Sequence, residues 1–182
     1  MKRLKYLTKF IHGETATSID YFLVHVFPFF IATIFRHYHS YIFANFSALQ
    51  LFFYYIFVWE LLGGIFANLS GTTKYFWQTQ PLKYKYYFIL LHGWHPIIWF
   101  LLFKVDIRCC SVYYLFMSFS TIFLLKNSNR FSLLLTLIFT FGGILMCKWL
   151  EDNYNPFPFG LEWVPYIFYI KLIFAFTLQY KK

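Results

Sequence analysis

Six stretches of predominantly apolar residues recur along this chain, each close to the ~20 residues a helix needs to cross a bilayer core. They fall at about 18–36, 45–69, 84–104, 109–126, 131–149 and 161–179, with short linkers between them. Hydrocarbon offers a backbone no hydrogen-bond partner, so stretches of this length are read as helices that satisfy their own N–H and C=O groups. The expectation is an all-α integral membrane protein, a bundle of about six transmembrane helices, with 1–182 forming a single polytopic membrane domain. The second stretch is apolar from Tyr41 onward, so it is expected to tilt or to begin in the interface. Composition agrees: 60 % of residues are hydrophobic and 13 % charged, against roughly 45–50 % and 25 % in soluble domains.

Basic residues set the orientation. If the amino terminus is inside, the inner segments hold Lys2, Arg3, Lys5, Lys9, Lys74, Lys83, Lys85, Lys126, Arg130, Lys181 and Lys182. The outer loops hold only Arg36, Lys104, Arg108 and Lys148, and eleven against four places both termini on the cytoplasmic (inner) side. The stretch after the fifth segment, EDNYNPFPFGLE, is acidic and aromatic and fits the outer face. The amino-terminal MKRLKYLTKFIHGETATS reads as a retained basic head, because Asp20 and His25 interrupt the apolar run that a cleaved signal would need.

The net charge of +9 is absorbed by these flanking residues. No basic run interleaved with exposed aromatics is present, so nucleic acid is not an expected partner. The lipid bilayer is, together with a membrane-protein partner. The expected location is the cell (inner or plasma) membrane, with an organellar inner membrane as the alternative.

The polar residues inside the apolar stretches are the candidates for function, since ionisable groups at that depth are costly. They concentrate between Trp59 and Pro96. Counting from Glu60, residues Gly63, Gly64, Ala67 and Asn68 fall on one helical face, which combines a carboxylate, an amide and a small-residue groove. The face is either a tight packing seam or a seam that also carries a site. In the third stretch, His92 and His95 share a face, and Pro96 removes the donor for the carbonyl four residues earlier, that of His92. With Gly93 between them, a kink is expected there. In the first stretch His25 lies deeper than Asp20, which is read as interfacial.

At ~1.5 Å per residue, Glu60, His92 and His25 come out roughly 15, 12 and 10 Å from the inner ends of their helices, one common layer with His95. Lys171 in the sixth stretch falls at a similar depth and would pair with Glu60 or extend toward the interface.

Three functional readings follow. The first is a proton- or cation-linked carrier or channel-like protein using Glu60 and the histidines. The second is a non-catalytic membrane subunit or accessory protein, in its cofactor form with a haem held by His25 facing His92 or His95. The third is a metal-dependent intramembrane enzyme with a divalent metal on His92, His95 and Glu60. Against an enzyme, there is no Gly-x-Ser nucleophile with a late histidine and no series of histidine boxes. Asp106 and Asp152 are not a convincing pair of outer aspartates. Cys109 or Cys110 would bridge to Cys147 if the outer face is oxidising; three buried thiols is the plainer reading, and no Cys-x-x-Cys is present.

Overall fold

The computed structural model describes residues 16–127, 132–154, 157–158 and 160–178. The basic head up to residue 15, Arg130, Lys181 and Lys182 lie outside the described residues. Among the described residues all regular structure is helical: α1 Ser18–Tyr38, α2 Ala48–Leu69, α3 Gly71–Thr79, α4 Leu82–Phe103, α5 Ile107–Lys126, α6 Ser132–Tyr154 and α7 Val164–Ala175. A single helical turn, Ser40–Phe43, stands between α1 and α2.

Five of these helices, α1, α2, α4, α5 and α6, are long and apolar enough to cross a membrane. Large side chains such as Leu115, Phe119, Phe141 and Leu145 face outward on α5 and α6, as lipid allows and water does not. Three boundaries differ from the sequence reading. The second stretch starts at Ala48, because Ser47 and Gln50 close a capping box there. The linker after it is itself helical as α3, started by Ser70 as N-cap. The sixth stretch gives a helix of only 12 residues, roughly 18 Å long against a ~30 Å core. Its expected first turn is spent on a bend. Gly160 takes φ 86°, its N–H donates to Glu162 Oε2 at 2.6 Å, and Trp163 Nε1 donates to the Gly160 carbonyl at 2.8 Å.

The chain divides at Gln80 and Pro81 into two compact units. In the first, α1 packs on α2 and α3 follows α2. The α1–α2 seam lies on the small-residue face counted from Glu60. A Cβ added at Gly63 would run into the carbonyl oxygen of Val24, so only glycine lets the two backbones come this close. Ala67 and Asn68, on the same face, are buried. Higher up the seam, Tyr54 donates to the Ala32 carbonyl at 3.0 Å.

In the second unit α4 packs on α5, α5 on α6, and α7 on both α5 and α6. Almost every residue from Phe168 in α7 to Thr177 just after it is buried, so this helix is the unit's core. Gly143 on α6 makes room for it: a Cβ there would stand 2.6 Å from the Tyr169 ring. Hydroxyl bonds between helices add to the packing. Thr121 donates to the Leu172 carbonyl at 3.3 Å, and Thr136 and Thr177 pair at 3.2 Å.

Candidate functional site

The second unit holds the most developed polar group, built around the interruption in α4. Pro96 has no N–H to give the His92 carbonyl, and the chain responds by tightening for one turn. His92 and Gly93 take ψ near zero, and their N–H groups, like that of His95, bond to carbonyls three residues back instead of four. The His92 carbonyl is then claimed twice by His95, by its backbone N–H and by its ring Nδ1, each at 3.1 Å. The helix is interrupted where Pro96 and Gly93 led one to expect it, by a tightened turn, and the released carbonyl orients a histidine. The two imidazoles lie parallel, their planes 2° apart and their centroids separated by 5.5 Å.

Hydrogen-bond chemistry assigns the His92 tautomer. Nδ1 lies 2.6 Å from the Phe88 carbonyl, which can only accept, so Nδ1 carries the hydrogen. Nε2 then presents its lone pair to Lys171 Nζ at 2.9 Å. All three residues are buried: His95 is 0 % exposed, Lys171 2 % and His92 4 %. Aromatic rings line them. Phe88 stands edge-on to His92 at 4.5 Å, and Phe168 and Trp94 lie 5.1 and 4.0 Å from His95.

Lys171 is presented by an irregular stretch of its own. The backbone from Ile170 to Ala175 widens into a π-turn, in which the Phe176 N–H reaches the Lys171 carbonyl five residues back. Such insertions shift side chains out of the ordinary 3.6-residue register and recur at functional sites. The Leu172 carbonyl within this stretch takes its extra donor from Thr121.

A nitrogen-to-nitrogen hydrogen bond between two bases holds one proton. It rests on Lys171 as ammonium, or passes to His92 Nε2 and leaves lysine a neutral amine.

The first unit carries a separate set. His25 accepts at Nδ1 from the Trp59 indole N–H at 3.1 Å, with the rings stacked at 5.9 Å. Glu60, the next residue on α2, is half-buried. Asp20 serves the start of α1: its carboxylate accepts from the Thr17 N–H at 2.7 Å and the Thr17 hydroxyl at 2.8 Å, closing the capping box. Asn68 is buried on the seam face.

Outside the spanning helices, two groups have displaced proton affinities. Hydrogen bonds from Arg108 hold the Asp106 carboxyl down at about 2. Burial pushes the Lys74 ammonium below its usual range.

Among the described residues no group of three or more His, Cys, Asp or Glu side chains is placed to hold a metal ion. A metal or haem iron on His92 would have to displace either Lys171 or the Phe88 carbonyl. Cys109, Cys110 and Cys147 are free and buried. Sequence reasoning missed the hydroxyls of Thr121, Thr136, Thr140 and Thr177. The i, i+4 spacing of Thr136 and Thr140 inside an apolar run was the available signal. It also passed over Glu151, whose Oε2 accepts from the Tyr166 hydroxyl at 2.7 Å. Compared with protein-family models, with characterised proteins and with solved structures, the chain matches none.

Proposed function

We propose that the protein is a multi-pass membrane carrier or channel-like protein that handles protons through Lys171, His92 and His95. In this reading α7 is a sixth crossing sheathed by its neighbours, and both termini lie on the inner, basic side, as the excess of Lys and Arg there favours. The membrane is the cell or plasma membrane, with an organellar inner membrane as the alternative.

The observation that carries the proposal is the buried 2.9 Å contact between Lys171 Nζ and His92 Nε2. A lone buried lysine is a costly charge; facing a lone pair, it becomes a site where a proton has two resting places. The parallel His95 ring, held by the His92 carbonyl, is the next proton-binding group along α4. Whichever partner holds the proton, the pair carries a positive charge that repels metal cations, which favours the proton over the cation reading.

Purified protein in liposomes loaded with a pH-sensitive dye tests this. Under an imposed potassium diffusion potential, the native chain is expected to pass protons, and Lys171→Met and His92→Phe each to lower the flux at least tenfold. Unchanged flux in a folded Lys171→Met variant overturns the proposal. Glu60→Gln in the same assay asks whether the α2 carboxylate belongs to the path: lost flux extends the path to the first unit, and retained flux confines it to the second.

A further inference from the structure

The turn between α4 and α5 joins two cavities that share Phe100, Leu101 and Ile107. The larger is an apolar groove of 580 Å³, open to the exterior between the two helices and lined by residues such as Leu91, Ile97 and Tyr114. Gly93 and Tyr114 both line it and lie close together, so that a Cβ at Gly93 would stand 3.2 Å from the Tyr114 ring. From Leu101 down to Leu90 it follows roughly 16 Å of helix, the depth of one leaflet of a ~30 Å core. The smaller, of 410 Å³, sits at the turn itself and is lined by Lys104, Asp106 and Arg108.

The charges at the turn are not balanced. Arg108 forks onto Asp106 at 2.6–3.2 Å. The Asp106 carboxyl is ionised throughout the physiological range, which leaves the Lys104 charge as the net one. Lys104 is exposed and caps α4 in the left-handed conformation, with φ 58°, where glycine fits with less strain. It is the only such non-glycine residue among those described. A long cation thus stands at a cap that glycine would ordinarily hold, directly above an apolar groove one leaflet deep.

We propose that this surface is a binding site for an anionic phospholipid, with one acyl chain in the groove and the phosphate at Lys104 and the outer edge of Arg108. The site does not depend on the proton path. The net positive turn selects a net negative headgroup over a zwitterionic one, and the groove supplies the affinity that a headgroup alone would lack.

The full chain in detergent, titrated with dioleoylphosphatidylglycerol and with dioleoylphosphatidylcholine and read by native mass spectrometry, tests it. The anionic lipid is expected to bind at least tenfold more tightly. Lys104→Gly relieves the backbone and removes the cation, so it is expected to fold and to bring the two lipids level. Lys104→Glu is expected to reverse the preference. Ser111→Trp, which fills the groove, is expected to weaken both lipids, and glycerol phosphate without tails is expected not to bind. Lys148→Glu, on α6, is expected to keep the preference. Equal binding of both lipids to the native chain overturns the site. So does a preference that survives in Lys104→Gly, or one lost equally in Lys148→Glu, which would mark diffuse charge. Binding of glycerol phosphate as tight as that of the lipid would mark a free-phosphate site instead.

Discussion

Pro28 and Pro96 each remove one hydrogen-bond donor from an apolar helix, and the two carbonyls they deprive meet different fates. Four residues before Pro28 is Val24, whose carbonyl oxygen faces Gly63 across the α1–α2 seam. Four residues before Pro96 is His92, whose carbonyl receives two hydrogen bonds from His95. The backbones also answer in opposite senses. Ahead of Pro28 the helix widens into a π-turn over Phe22–Val26; ahead of Pro96 it tightens to bonds spanning three residues. In lipid a freed carbonyl must be answered from inside the protein. The first unit answers with packing: glycine lets α2 come close enough to cover Val24. The second answers with an imidazole, and so converts a structural break into an oriented polar group. A proline in a membrane helix therefore marks a place where something must be supplied, and the residue opposite decides whether the result is a seam or a site.

The seam is where the largest effect is expected. Gly63→Ala puts a methyl group against the Val24 backbone, which cannot swing aside as a side chain would. A loss of about 3 kcal/mol is expected, measured as reversible unfolding in mixed micelles. Gly142→Ala on α6 is the contrast, because its Cβ would meet only Phe116 at an ordinary 3.8 Å and alanine favours the helix. A loss below about 0.5 kcal/mol at Gly63 would mean that the α1–α2 contact yields, and the packing half of the comparison would fail.

The polar half is measured by coupling. In a double-mutant cycle of His92→Phe and Lys171→Met, the pair is expected to show an interaction of about 2 kcal/mol, the range for a buried hydrogen bond to a charged donor. Additive losses would mean that the 2.9 Å contact contributes nothing of its own. The same variants carry the proton-flux test, so stability and function can be separated residue by residue.

How much of this was legible in the chain depends on range. The face counted from Glu60 follows from one helix alone; on it Gly63, Ala67 and Asn68 are buried, while Glu60 and Gly64 are half-buried. The release of the His92 carbonyl follows equally from Pro96 and a count of four. The acceptor for Lys171 could not be read this way. His92 is 79 positions distant, and depth along a helix admits several partners at one level, Glu60 among them. The π-turn that presents Lys171 leaves no trace in the hydrophobic pattern, because Ile170–Ala175 is apolar in any register. The length of α7 was hidden for a related reason: Leu161 and Trp163 could extend an apolar helix, but the Gly160 bend takes up residues 161–163, with Glu162 accepting from the Gly160 N–H.

The smallest effects, and the sharpest contrast, belong to the prolines themselves. Pro28→Ala and Pro96→Ala each restore a backbone donor, and each is expected to change stability by less than about 1 kcal/mol, since the carbonyls are already answered. Their consequences for the histidines should differ. At Pro96→Ala the new N–H competes with His95 Nδ1 for the His92 carbonyl, so the His95 ring loses the bond that sets its tautomer and its parallel stacking. Nitrogen-15 spectra of labelled histidine should show the His95 Nδ1 environment change, and proton flux should fall several-fold. At Pro28→Ala the restored donor meets a carbonyl covered by glycine, no side chain is displaced, and both readouts should stay at the native level. If the two substitutions move the His95 signal and the flux alike, the interruption in α4 does no more than bend a helix, and the distinction between seam and site dissolves.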